Sequence, residues 1–255
     1  MNRRRFLGGA GVVGLGALAG CSSAVGTVAP PDVPQAEIDE GGWERTDKTE
    51  QTVFEESYGP VTITGKSTTL TFADEALAAE VSEKTLDQID GTLAIFAASH
   101  INFSPDLNNL PGGVGQKEVV EQAETAAREQ FKQRMRDQGL ENVQETGEEP
   151  FQTDSGASPG LATFTAEFPV GKMAYDTGEE TFNIDVGTIE VAGDLAVWNV
   201  GDYVVVAGGA YPAESFATTT TKELSEAISV TVDIDLGLTP GEYRQEVRSL
   251  IAGTQ

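Results

Sequence analysis

One cysteine and one histidine occur in 255 residues. The lone Cys21 excludes an internal disulfide framework and a thiolate cage for zinc. The lone His100 excludes a histidine-rich metal centre. Basic residues are scarce as well: 16 Lys and Arg stand against 41 Asp and Glu, a formal charge of −25. That balance excludes nucleic acid as a partner, which needs clustered cations to neutralise its phosphates. Aromatic residues make up 7% of the chain, and Trp43 and Trp198 are far apart in sequence, so no aromatic platform for carbohydrate is visible. No apolar run reaches the ~20 residues that a membrane-spanning helix needs.

What is present starts at the N-terminus. Arg3, Arg4, Phe6 and Leu7 carry the order R-R-x-F-L of a twin-arginine export signal. An uncharged, glycine-rich stretch follows from Gly8 to Gly20, too short to span a bilayer. It ends in Leu18-Ala19-Gly20-Cys21, the pattern of a lipobox. Small residues before the cysteine give a peptidase access to the bond, and the thiol of Cys21 then takes a thioether-linked lipid. Each buried CH₂ contributes about 0.8 kcal/mol, so two long chains would anchor the protein firmly. These patterns divide the chain into a signal peptide over residues 1–20, a lipid-anchored flexible tether over 21–40 and one domain over 41–255.

Cleavage before Cys21 removes three arginines and deepens the formal charge from −25 to −28. Such self-repulsion destabilises a compact state in dilute buffer, and molar salt screens it to a Debye length of ~3 Å. A twin-arginine leader, a lipobox, an acidic body and few lysines together resemble the secreted lipoproteins of salt-loving archaea. The chain resembles a haloarchaeal twin-arginine-exported lipoprotein of a family of unknown function. That resemblance implies a protein on the extracytoplasmic face of the cell membrane, with the membrane as partner through the lipid on Cys21.

A content rich in Thr, Val and Phe predicts a strand over 43–58, and Val61, Ile63, Leu70 and Phe72 with interleaved threonines predict a second over 61–72, joined by Tyr58-Gly59-Pro60 and irregular near Gly65. A helix is predicted within 74–90, a buried strand over 93–103 and a loop over 108–115. Ala123, Ala127, Phe131 and Met135 recur every fourth residue and predict a helix from Lys117 to Gln138, stopped by Gly139. The stretch 146–160 reads as a polar loop. Strands are predicted over 162–170, 181–191, 194–200 and 203–210, with turns at Gly193-Asp194 and Gly201-Asp202. Thr220 and Glu223 read as the capping box of a short helix, and 230–236 as an edge strand. Thr239-Pro240-Gly241-Glu242 starts the last helix. Strand runs separated by a few helices predict an α+β fold, with a mostly antiparallel sheet and helices packed on one face.

Catalytic patterns are sparse. Gly156-Ala157-Ser158-Pro159-Gly160 matches G-x-S-x-G, but Pro159 and a following strand do not suit a nucleophile elbow, and His100 precedes the serine. His100 itself sits inside an apolar run, where a structural role outweighs a general base. Asp233 and Asp235 share one strand face, and Glu148-Glu149 and Glu179-Glu180 are adjacent pairs, yet no calcium-loop spacing accompanies them. No catalytic residue, metal or cofactor is assigned. Asn102-Phe103-Ser104 is an N-glycosylation sequon followed by Pro105. The expected function is a non-enzymatic binding or envelope-interaction domain. The alternatives are a carboxylate-dependent hydrolase and a substrate-binding lipoprotein of a transporter.

The lipobox generates a direct test. Cys21→Ser should move the protein out of the membrane fraction or leave an uncleaved precursor, as read by fractionation and intact mass. A correctly processed variant that stays in the membrane fraction refutes the lipid anchor.

Overall fold

A computed structural model describes residues 28–58, 61–89, 91–107, 116–176, 181–225 and 228–255. The export signal at Arg3, Arg4, Phe6 and Leu7, the lipobox at Leu18, Ala19, Gly20 and Cys21, the 108–115 loop and the Glu179-Glu180 pair lie outside the described residues. In chain order the elements are α1 (Gln35–Glu40), β1 (Trp43–Tyr58), β2 (Val61–Asp74), α2 (Glu75–Lys84), β3 (Ile95–Ser104) and α3 (Gln116–Asp137). They continue with β4 (Glu141–Pro150), β5 (Gly160–Asp176), β6 (Thr181–Val200), β7 (Tyr203–Pro212), β8 (Ala217–Ser225), β9 (Ile228–Asp235) and α4 (Pro240–Gly253). Seven strands form one antiparallel sheet in the order β1-β2-β3-β7-β6-β5-β4, and β8-β9 is a separate hairpin. The fold is α+β and mostly antiparallel, as the strand runs predict.

Alternation along the central strands assigns the layers. Phe96 and Ala98 of β3 and Val205 and Ala207 of β7 pack with Ile38 of α1, Leu77 and Val81 of α2, and Val247, Leu250 and Ile251 of α4. Three helices therefore share one face. The opposite face of the same strands carries Ile101, Phe103 and Val204, which pack with Val119 and Ala123 of α3. The longest helix alone covers that second face, and the central strands are apolar on both sides because each side has a helix to meet.

The sheet curls around α3. Gln130 Nε2 donates to the Val53 carbonyl of β1 at 3.3 Å. The next residue, Phe131, packs on Phe164 of β5 with ring centroids 5.0 Å apart and lies against Gly193 of β6. Arg128, less than one turn earlier, bonds Glu145 and Glu148 of β4. One turn of the helix thus reaches both edges of a seven-stranded sheet, which a flat sheet forbids.

Four expectations change. Residues 28–40 belong to the folded body: Thr68 Oγ1 donates to the Val28 carbonyl at 2.7 Å, Asp32 and Gln255 exchange both backbone hydrogen bonds, and Ile38 is buried. The tether expected up to residue 40 therefore gives way to packed chain from Val28, because Val28 and Ile38 have apolar sites to fill. The stretch expected as a loop from 146 is strand β4 from Glu141; as an edge strand with only Val143 buried, it shows no alternation to read. Thr220 and Glu223 lie in strand β8, not in a helix. The turn expected at Gly193-Asp194 does not exist, and β6 runs through it unbroken. Both residues have other duties. Gly193 leaves room for Phe131, whose Cε1 would lie 3.0 Å from an added Cβ, and Asp194 is a buried partner of Arg248.

Gly209 marks the tightest helix–sheet approach. A Cβ there would stand 2.7 Å from the Ile95 carbonyl oxygen and 2.8 Å from Val247 Cγ1. Gly209→Ala should lower stability by about 1–3 kcal/mol, the usual cost of overpacking. Gly241→Ala, whose Cβ meets nothing within 4 Å, should be neutral or stabilising. Thermal melts in molar KCl compare the two.

Candidate functional site

Between α3 and the concave face of the sheet lies a cavity of about 110 Å³. Small residues create it. Ala97 and Ser99 of β3 and Gly208 and Ala210 of β7 face Ala123, Ala126 and Ala127 of α3, so neither wall fills the gap. Larger side chains hold the helix off the sheet on either side. Phe54, Phe103 and Val119 pack toward the N-terminal end of α3, and Phe131, Met135 and Phe164 toward its C-terminal end. Along β3 the side chains of Phe96, Ala98 and His100 are buried, whereas Ile95, Ala97 and Ser99 keep part of their surface accessible. The accessible ones line the cavity. An apolar floor in the middle of a sheet is thus left wetted.

The mouth is polar. Gln51 of β1, Gln130 and Arg134 of α3 and Gln138 just after it are the exposed lining residues, the last three spaced by four along the chain. Inside them lie Thr69 and Ser99, whose hydroxyls bond each other at 2.7 Å. Beside Thr69 is Ser67, 2% exposed, with an Oγ that meets no hydrogen-bond partner. No acidic residue among the described residues lines this cavity.

Residues singled out by sequence are elsewhere. His100 is on the opposite face, its Nδ1 3.2 Å from the Ala29 carbonyl and its ring stacked on Tyr203. Burial holds its imidazole below the ordinary range, against the backbone of Gln255 and Ala29 and the charge of Asp32. That environment favours a neutral structural ring. Asn102 is half-buried in β3, which is paired on both sides with β2 and β7. Ser158 sits in the loop between β4 and β5, with no helix after it. Asp233 accepts a hydrogen bond from Thr219, and Asp235 from the Gly237 amide, so the two bond separate partners. Glu148 goes to Arg128 and Glu149 to Arg248. No group of three or more metal-ligating side chains occurs among the described residues.

Sequence reading missed two charged clusters. Arg128 gathers Glu124, Glu145 and Glu148; burial alone would lower its pKa, but the three carboxylates outweigh it and hold the guanidinium above its usual range. On the other face Asp194, 2% exposed, accepts from Tyr211 Oη at 2.9 Å and from Arg248 Nε at 2.8 Å. Burial, then the charge and hydrogen bond of Asp194, push the Tyr211 phenol up. A third group is Asp74 and Glu246. Burial raises both carboxyls, and the charge of Asp74 adds to the rise at Glu246. Asp74 is committed to capping α2, accepting from the Leu77 amide at 2.8 Å. The spacing of Arg128 and Glu124 by four was the only one of these signals readable from sequence.

The chain belongs to a family described as a domain of unknown function, DUF6517, whose model matches residues 30–255. No curated protein and no solved structure matches it.

The Asp194 cluster predicts a structural phenotype. Arg248→Ala leaves a buried carboxylate without its cation and should cost about 3–5 kcal/mol. Chemical denaturation reads the loss; a stability change under ~1 kcal/mol would show that the pair is dispensable.

Proposed function

For this member of a family without an assigned function, we propose an exported, lipid-anchored binding domain. It takes an apolar small molecule into the cavity under α3 and carries out no covalent chemistry. The accessible apolar floor is the observation that supports this reading: water over Ile95, Ala97, Val206 and Ala210 is replaced by ligand at a gain of about 25 cal/mol per Å² of apolar surface. An engineered cavity of ~150 Å³ in another protein takes up benzene, so a space of about 110 Å³ suits a small ring or a length of one hydrocarbon chain.

The address rests on residues 3–21: the twin-arginine signal, the lipobox and Cys21 as lipid acceptor. They put the domain on the extracytoplasmic face of the cell membrane, and the charge of −25 fits a salt-rich medium outside. No helix among the described residues is long and apolar enough to cross a membrane. A carboxylate-dependent hydrolase is the weaker reading, because Asp194, Glu145, Glu148 and Glu149 are bound to arginines and Asp74 caps a helix. A transporter's binding lipoprotein is weaker too, since one seven-stranded sheet organises the body and no second α/β lobe faces it.

Filling the cavity tests the proposal. In the full chain carrying Cys21→Ser, Ala97→Leu should weaken binding of benzene by at least about ten-fold, or 1.4 kcal/mol. The melting temperature should hold or rise, because the added methyl groups enter empty space. Titration calorimetry reads the affinity. Equal binding by both proteins would remove the cavity as the site.

A further inference from the structure

Resting on that reading, we propose that the cavity takes an anionic amphiphile with a single hydrocarbon chain. The chain lies between α3 and the floor formed by β3 and β7. The acidic head is met at the mouth by Arg134, with Ser67 as a second donor.

Charge at the mouth runs against the rest of the molecule. The chain holds 41 acidic residues, yet among the described residues the charged side chain lining the cavity is a cation, Arg134. Of the other cations near it on α3, Arg128 is held by three glutamates and Lys132 by Glu129, and Arg136 is exposed but does not line the cavity. Arg134 pairs with no carboxylate among the described residues. The mouth is therefore a locally positive spot on an anionic surface, with a guanidinium free to form paired hydrogen bonds with a carboxylate or phosphate. A cationic head would be repelled there, and a neutral one would gain nothing from the charge.

Ser67 points to the same end of the ligand. Its neighbour across the strand pair is Gln51, one of the exposed residues of the mouth. Ser67 Oγ is buried, lines the cavity and meets no partner, whereas the adjacent Thr69 and Ser99 satisfy each other. Buried hydroxyls are rarely left unbonded, and an acceptor brought by a ligand repairs this one. Away from Ser67 the lining is mostly apolar, with Leu93, Ile95, Ala97, Val206, Gly208 and Leu195, and its described charged group is Arg134. The volume of about 110 Å³ leaves no room for two chains side by side.

The test uses the full chain with Cys21→Ser, so that no attached lipid competes. Three probes of equal chain length are titrated by calorimetry: dodecanoate, dodecan-1-ol and dodecyltrimethylammonium. Dodecanoate should bind at least about ten-fold tighter than either of the others, the scale of one charge-assisted contact. Arg134→Gln should abolish that preference and leave the alcohol's affinity unchanged. Ser67→Ala should weaken dodecanoate several-fold more than the alcohol. Arg134 is exposed, so its variant should keep the parent's melting temperature. A dodecyl phosphate arm separates a phosphate head from a carboxylate, and either one binding with the Arg134-dependent preference supports the inference. Equal affinity for alcohol and acid, or a preference that survives Arg134→Gln, overturns this inference and leaves the cavity reading standing. Failure of all the probes to bind overturns both.

Discussion

Strands β3 and β7 sit at the middle of the sheet and must be covered on both faces, because both rows of their side chains are apolar. Most of the structure follows from how the two covers differ. On one face three helices divide the work, and α4 comes so close that Gly209 replaces a side chain under Val247. That face is close-packed, and of its two deeply buried carboxylates Asp194 is matched by Arg248 and Asp74 by the Leu77 amide. On the other face a single 22-residue helix, α3, has to cover the same strands alone. A straight cylinder cannot cover a wide sheet, so the sheet curls toward it, with β1 meeting Gln130 and β4 meeting Arg128.

Curling leaves a remainder. The edges of the sheet touch the helix and aromatic residues pack toward either end, while the middle falls away from it over Ala97, Ser99 and Gly208. Interiors normally close such gaps, since a void forfeits dispersion contacts on its whole lining. Here small residues face small residues across it, which keeps the gap open. In the same strand Ala210 lines the gap, whereas a Cβ on Gly208 would meet the Asp194 carbonyl oxygen and one on Gly209 the Ile95 carbonyl oxygen, each at 2.7 Å. Gly208 and Gly209 are neighbours, and each looks to a different side of the sheet.

Acidic charge is arranged by the same layers. The three carboxylates around Arg128 tie α3 to β4, and Glu149 with Asp194 ties α4 to β4 and β6 through Arg248. Glu124 and Glu145 are therefore not free surface acids, and neutralising them would loosen the clamp that closes the sheet around the helix. With 41 acids against 16 cations, carboxylates outnumber cations, and salt screening bears on the surplus charge.

Local sequence determined the elements whose signals are self-contained. Strand-forming content over Trp43–Tyr58 and Val61–Asp74, the four-residue repeat of α3, the Thr239-Pro240 start of α4 and the central place of β7 were all legible, because each depends on residues within a few positions of one another. The patterns proposed as an export signal and a lipobox are also linear, so they too are legible without a fold. Tertiary structure decided the rest. Gly193-Asp194 spells a turn, and only Phe131 from α3 and Arg248 from α4 make it the middle of a strand. Strand β4 has no apolar rhythm and exists because β5 pairs with it. The cavity was invisible for the same reason: Ala97, Gly208 and Ala127 read as ordinary small residues in a strand, a strand and a helix. A gap is a property of two surfaces, and no single stretch of chain contains both.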